Sequence, residues 1–267
     1  MSDVSWVILI LIIAAVLWIS GASLMKPVDQ PGAETPATDS GTVSNGSTKK
    51  EPAPVIRIYT SNIWTERPDE EYIELLADYS NTKEVNISGW KLQNRDNKIF
   101  IIPTGAGLPY VGQVNTQSNI KLGPGEKAII ITGKSPIGTG FRPNICTGYF
   151  NRLYEFKPRL PENCPPPDKE PGVDAQNNAC FSYIKTLPRC QTPTLSNAPS
   201  NVNFACREFI DQKLSYASCV ETHKKDAGFF ANEWRVYLER NEEAWSNVRE
   251  TIKLFDQNSN LVAETSI

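Results

Sequence analysis

Six cysteines and one histidine are the most chemically distinctive residues of this 267-residue chain, and all seven lie between positions 141 and 228. The cysteines are Cys146, Cys164, Cys180, Cys190, Cys206 and Cys219. Structural zinc sites use close cysteine pairs, whereas the nearest cysteines here are ten positions apart and His223 adds one Cys-x3-His step. An even cysteine count in a small, proline-rich segment instead predicts three disulfides, with fifteen pairings open and buried free thiols as a further alternative.

The other candidates for catalysis are His223, the acidic run at residues 69–71 and two glycine-rich turns. His223 lies in the polar stretch 221–225, which is typical of a solvated surface, and no nucleophile-elbow pattern precedes it. The acidic run is typical of a solvated loop before a strand. The turns at 105–107 and 138–140 lack the Lys-Ser/Thr continuation of a phosphate loop. The sequence therefore predicts no catalytic residue, no cofactor and no metal site.

Charge is balanced along the chain, whose formal net charge is -3. Residues 55–140 hold nine Lys and Arg against nine Asp and Glu, and residues 141–228 hold eleven against nine. A protein that binds DNA irrespective of sequence needs a basic surface to neutralise phosphates. The balance therefore argues against nucleic acid as a partner.

A dense group of aromatic and arginine side chains opens the cysteine-rich segment. Its members are Phe141, Arg142, Tyr149, Phe150, Arg152, Tyr154 and Phe156. Aromatic residues and arginine are enriched at protein interfaces, so this group is a candidate partner surface. The alternative is that the group packs a small subdomain onto a neighbouring sheet.

Short strands precede this segment and would have to position it. In residues 71–77 polar and apolar side chains alternate, which indicates a strand with one buried face. Residues 99–102 and 128–132 are short runs rich in β-branched and aromatic residues, again typical of strands. Before both runs, a Ser-Gly-Trp turn at residues 88–90 introduces Trp90, which we predict to be the aromatic anchor of the core.

Two stretches of the cysteine-rich segment predict helices instead. Residues 178–185 and 203–214 place their apolar side chains at helical spacing. Both stretches carry a Cys-x-x-aromatic-Ile pattern, which begins at Cys180 and at Cys206. The pattern indicates a weak internal repeat, although one so short also arises by chance.

Three features in order resemble the lamin tail domain. They are the alternating strand at residues 71–77, the sequence Ser-Gly-Trp-Lys-Leu at residues 88–92 and the Pro-Gly-Glu turn at residues 124–126 before an apolar strand. Residues 249–262 resemble the closing hairpin of the same domain. The resemblance implies an immunoglobulin-like sandwich, which by itself has roughly 100 residues.

Composition and the resemblance together divide the chain into four parts. We expect residues 1–25 to form an N-terminal transmembrane anchor or signal, and residues 26–54 to form a disordered linker rich in Pro, Ser and Thr. The lamin-tail-like sandwich covers residues 55–140 and 229–267, and residues 141–228 are a cysteine-rich insert. The predicted fold is thus an all-β immunoglobulin-like sandwich with a partly helical insert and an N-terminal transmembrane helix, similar to membrane-anchored lamin-tail proteins of bacteria.

The apolar N-terminal segment bears on the cellular compartment of the protein. Residues 4–25 contain no charged side chain, and about twenty apolar residues are enough to cross a bilayer core. A cleaved signal peptide is the alternative, because residues 20–22 fit the small-x-small cleavage pattern. Lys26 after the span favours a cytoplasmic body, but three disulfides favour an oxidising compartment and overrule one lysine. We therefore expect a single-pass protein whose body lies outside the cytoplasmic membrane, at the cell surface or in a periplasm-like space.

These observations predict a non-catalytic binding, scaffold or adhesion module that contacts protein or cell-envelope glycan. One alternative is a cytoplasm-facing tether that binds nucleic acid or filaments. Another is an accessory domain of an envelope hydrolase. The ligand, the disulfide pairing and the oligomeric state stay open at this point.

Overall fold

The computed structural model of the protein describes residues 53–194, 196 and 198–267. Within them the strands are β1 (Ile56–Asn62), β2 (Tyr72–Ala77), β3 (Val85–Asn86), β4 (Lys91–Gln93), β5 (Ile99–Ile101), β6 (Gly105–Ala106), β7 (Gln117–Ser118), β8 (Lys121–Leu122), β9 (Lys127–Ile131), β10 (Glu233–Tyr237), β11 (Thr251–Phe255) and β12 (Leu261–Ser266). The α-helices are α1 (Asn178–Ile184), α2 (Phe204–Lys213) and α3 (Tyr216–His223). Two 3-10 helices cover Thr147–Arg152 and Pro167–Lys169. The described chain is mostly β-sheet, and its few helices all lie in the predicted insert.

The longer strands form two four-stranded sheets, with the orders β1-β2-β9-β10 and β12-β11-β4-β5. Every pairing in them is antiparallel except that of β10 with β9, which is parallel. Both sheets contribute fully buried side chains to one apolar core, among them Ile73 of β2, Leu92 of β4 and Leu254 of β11. The two sheets therefore pack face to face, and Trp90 lies buried in the same core.

The Ser-Gly-Trp turn ties several segments together. Gly89 has a φ of +81°, a conformation that glycine adopts without strain. The Ser88 hydroxyl donates to the carbonyl oxygen of Pro103 at 3.1 Å and accepts from the backbone N–H of Ile120 at 2.8 Å. The Gln257 side-chain amide donates to the carbonyl oxygen of Ser88 at 2.8 Å. Serine and glycine at these positions thus link one turn to three separate parts of the chain, at Pro103, Ile120 and Gln257.

The insert, residues 141–228, lies within the connection between two parallel strands. Parallel neighbours need a crossover of a dozen or more residues, and residues 132–232 supply it between β9 and β10. The two ends of the insert meet at a neck formed by residues 141–145 and 229–235. There Phe141 and Arg235 exchange both backbone hydrogen bonds at 2.8 Å. The insert therefore leaves and returns at one place on the sheet edge.

All six cysteines form disulfides, which confirms the predicted cross-linking. The pairs are Cys146–Cys219, Cys164–Cys190 and Cys180–Cys206. This selects one of the fifteen pairings and excludes zinc ligation and free thiols for these residues. Three disulfides are typical of a protein that folds in an oxidising, extracytoplasmic environment.

Helices α1 and α2 lie where the sequence predicts helices, and they share more than the short cysteine pattern. Asn177 and Asn203 are their N-caps, and each side-chain oxygen accepts from the backbone N–H of the cysteine three positions later, at 3.0 and 2.9 Å. Those cysteines, Cys180 and Cys206, bond to each other. The isoleucine four positions after each cysteine is fully buried in one cluster. The two halves of the repeat thus pack against each other through equivalent positions.

None of the helices in the described part of the chain has the length and apolar character needed to cross a membrane. The predicted span at residues 4–25 lies outside that part, as does the predicted linker up to residue 52. The two sheets and the insert belong to one compact unit, Glu51–Ile267.

Candidate functional site

Three of the predicted partner-surface residues are core residues instead. Phe141, Phe150 and Phe156 are at most 3% exposed and pack against Ile129 and Ile131 of β9. Their partners lie on the face of β9 that points away from the shared core, so these rings attach the insert to the sheet. As a partner surface, this part of the prediction is wrong, and the packing alternative describes these residues.

Arg142 also has a structural role at the neck. Its guanidinium pairs with Glu126 of the Pro-Gly-Glu turn and lies 5.2 Å from the ring centre of Phe230. Tyr154 is partly buried, with its ring 6.4 Å from that of Phe156. Neither arrangement presents a free aromatic face together with a free cation.

The remaining predicted residues, Tyr149 and Arg152, lie at a groove of about 600 Å³ in the insert. The groove is enclosed by four chain segments that are distant in sequence. They contain Tyr110, Tyr149, Gln191 and Tyr216, and the buried Phe150 also reaches the lining. Ligand sites in proteins are commonly apolar clefts of this size with a few placed polar groups. This groove is therefore the candidate functional site.

Covalent bonds hold three of the four segments in place. The 3-10 helix that carries Tyr149 and Arg152 begins directly after Cys146, whose disulfide with Cys219 joins it to α3 and Tyr216. The Cys164–Cys190 disulfide fixes the segment that begins at Gln191. The groove is thus a product of the cross-linked insert.

Tyr216 holds the fourth segment, which contains Tyr110, against the other three. Its hydroxyl donates to the carbonyl oxygen of Pro109 and accepts from the side-chain amide of Asn144 at 3.3 Å. Its ring lies edge-on to Tyr110 at 5.9 Å and against Phe150 at 4.4 Å. One tyrosine therefore connects the neck, the loop before β7 and the 3-10 helix.

The groove carries one exposed cation. The side-chain amide of Gln191 lies against the Arg152 guanidinium, 2.7–3.1 Å from its three nitrogens. Within the described residues no carboxylate lies within ion-pairing distance of Arg152. Burial, with a smaller contribution from the charge of Glu170, raises the pKa of Tyr149 to about 12, and burial also raises the pKa of Tyr216. Both phenols are neutral at physiological pH, so the arginine sets the charge of the groove.

His223 is not the solvated residue that its polar neighbours suggest. Its side chain is 16% exposed and lies between two carboxylates, with Nδ1 2.6 Å from Asp226 and Nε2 3.4 Å from the buried Glu170. The prediction of a solvated residue is therefore wrong. His223 ends α3, and the buried residues of this helix are Cys219 and Val220. So narrow an apolar face leaves almost no periodic signal in the sequence.

The His223 cluster predicts a pH-dependent stability. Burial alone lowers the pKa of His223, but the hydrogen bond with Asp226 and the charge of Glu170 outweigh it, so the pKa is raised. The stabilisation is fully present below the ordinary pKa of about 6.5 and is lost as pH rises through the raised value. We expect a higher urea midpoint at about pH 6 than at about pH 8.5, and His223→Gln to remove this difference. An unchanged pH difference in the variant would contradict this role.

Glu71 is likewise buried, although its acidic run is typical of a solvated loop. It is 0% exposed, and its carboxylate accepts from the backbone N–H groups of Ala244 and Trp245 at 2.8 and 3.2 Å. Asp69 and Glu70 pair with Arg67 at the surface. The three carboxylates therefore do not converge on one site. Over the residues described, no group of three or more His, Cys, Asp or Glu is placed to hold a metal ion.

Comparison of the chain with protein-family models, with curated proteins and with solved structures finds no match. The protein has a mostly β fold, and its disulfide-bonded insert carries an aromatic groove with one exposed arginine.

Proposed function

We propose that this protein is a non-catalytic binding module of the lamin tail type, tethered to a membrane by residues 4–25 and presented outside the cytoplasmic membrane. Its groove binds protein or glycan of the cell envelope. The observation that carries the proposal is the groove itself. Two disulfides and the hydrogen bonds of Tyr216 hold four distant segments around a preformed cleft of about 600 Å³.

The roles of the motif residues support a lamin-tail, immunoglobulin-like assignment. Ser88 and Gly89 hold the turn that leads to the buried Trp90. Gly125, with a φ of +79°, and Glu126 form the turn that leads into β9. These five motif residues thus have structural roles at the two turns of the two-sheet core.

The state of the reactive side chains supports a binding function over catalysis. The single histidine is held by Glu170 and Asp226, and all six cysteines are oxidised. No cysteine can therefore act as a thiolate nucleophile, and both ring nitrogens of His223 face carboxylates, so neither is free to take a proton from a substrate. The disulfides also support the extracytoplasmic location, while the membrane anchor rests on the apolar residues 4–25.

The test is binding of the full-length chain, reconstituted in vesicles, to isolated cell envelopes of the source organism. Leu153 is 70% exposed at the groove, so Leu153→Trp fills the cleft without disturbing a core. We expect this variant to weaken envelope binding at least about tenfold, as when the centre of an interface is blocked. Val248→Trp, at an exposed valine away from the groove lining, is the matched control and should bind like the unmodified chain. Equal binding by both variants, or none by the unmodified chain, would overturn the proposal.

A further inference from the structure

The aromatic lining of the groove suits a ligand with flat, weakly polar faces. Tyr110, Tyr149 and Tyr216 line one cleft, and the hydroxyl of Tyr216 is bonded within the protein. Tyrosine combines contact area with a hydrogen-bonding tip, so it suits a ligand that is apolar on its faces and polar at its edges. Sugar rings have this character, since C–H groups cover their faces and hydroxyls project from their edges.

The polar lining suits a ligand rich in hydroxyl groups. Thr192 and Thr194 supply neutral side chains that both donate and accept, beside the amide of Gln191. Because burial keeps the Tyr149 phenol protonated, it also offers a neutral hydroxyl. These groups can exchange hydrogen bonds with sugar hydroxyls, which themselves donate and accept.

Arg152 favours a ligand that carries a negative charge. A guanidinium binds a carboxylate through two parallel hydrogen bonds, and such charge-assisted bonds are stronger than neutral ones. Arg152 is exposed, and within the described residues no carboxylate lies within ion-pairing distance of its guanidinium, so its charge is available to a ligand. A second cavity of about 370 Å³ shares Arg152 and Leu153 with the groove. The arginine thus stands between two cavities and can meet an acidic group on a ligand that extends across both.

The segments that form the groove disfavour a peptide. They are a loop at Tyr110, a 3-10 helix at Thr147–Arg152, a loop at residues 191–194 and the start of α3. None of these is a strand edge that could pair with an extended peptide. A bound amphipathic helix needs a continuous apolar groove, and here threonines, a glutamine and an arginine interrupt the lining.

We infer that the groove binds an acidic glycan, in which sugar rings pack on the tyrosines and a ring carboxylate pairs with Arg152. This inference rests on the proposed function, because it names the ligand class of the same groove. A ligand that reaches both cavities that share Arg152 would extend over at least two sugar units.

The test is calorimetric titration of the full-length chain in a non-ionic detergent. The probes are tetrasaccharides of galacturonate and of hyaluronan, each compared with its carboxyl-reduced counterpart, which keeps the rings and loses the charge. We expect at least one acidic probe to bind about tenfold or more tightly than its reduced form, the size of effect expected for a charge-assisted pair. Arg152→Gln should abolish this preference. Arg189→Gln, at an exposed arginine of the same insert outside the groove lining, should retain it.

Several outcomes would overturn the inference. If neither acidic probe binds more tightly than its reduced form, a ring carboxylate is not recognised. If Arg152→Gln and Arg189→Gln weaken binding equally, the attraction is general and not located at the groove. If protease treatment of the envelopes abolishes the binding that Leu153→Trp blocks, the ligand is a protein. In that last case the proposed function survives and only the ligand class fails, whereas envelope binding insensitive to Leu153→Trp removes the proposed function itself.

Discussion

Replacing both Cys146 and Cys219 by alanine is expected to lower the free energy of unfolding by about 4 kcal/mol, because this disulfide closes a span of 73 residues and so removes much chain entropy from the unfolded state. It also joins the 3-10 helix that carries Tyr149 to α3. The same double variant should therefore lose groove binding. Urea unfolding of the full-length chain and envelope binding measure the two effects.

The Cys180–Cys206 disulfide is the matched control. It spans 26 residues and joins α1 to α2, neither of which lines the groove. Replacing this pair by alanine should cost about 1 kcal/mol less, since the entropy of loop closure grows with the logarithm of the span. It should leave groove binding intact. If both double variants lose equal stability and both keep binding, the neck disulfide does not hold the groove together.

The local parts of the fold were predictable because their signals are local. The alternation at residues 71–77 indicates β2, and the apolar spacing after Asn177 and after Asn203 indicates α1 and α2. The cysteine count predicts cross-links because a small, loop-rich segment has too little core of its own. None of these inferences depends on residues far apart in sequence.

The packing of the insert onto β9 has a signal in the sequence. Ile129, Ile130 and Ile131 are consecutive apolar residues, and all three are buried. A strand with one wet face alternates, whereas an unbroken apolar run indicates a strand covered on both faces. Ile130 packs in the core between the sheets, and its two neighbours pack against the insert. The run therefore indicated that something covers the outer face of β9.

The groove itself could not be predicted from the sequence. Its segments come together through a disulfide pairing that sequence cannot select, and through Tyr216 binding the carbonyl oxygen of Pro109, 107 positions away. Only Tyr149, Phe150 and Arg152 of the predicted surface reach it. Composition identified a region rich in aromatic residues and arginine. In the fold, some of these residues pack the insert onto the sheet, and others line the groove.

Glu71 holds the connection from β10 to β11 in place. Its carboxylate is the acceptor for the backbone N–H groups of Ala244 and Trp245, in the connection from β10 to β11. Glu71→Ala is expected to lower the free energy of unfolding by about 3 kcal/mol, since each buried donor left without an acceptor costs about 1–3 kcal/mol. Glu242→Ala, at an exposed carboxylate of the same connection, is the control and should change stability by less than about 0.5 kcal/mol. Equal losses in the two variants would show that the buried carboxylate does not hold this connection.

The pH dependence separates the charge of Glu71 from its hydrogen bonds. Burial raises the pKa of Glu71 in the fold above its unfolded value. The folded state therefore favours the protonated form, and this contribution is present below the unfolded pKa of about 4.3 and is lost as pH rises through the raised pKa. Glu71→Gln, which does not titrate, should lack this loss, so the stability difference between the unmodified chain and the variant should change with pH in that window. A pH-independent difference would mean that the carboxylate is held by its two donors without a net effect of burial on its ionisation.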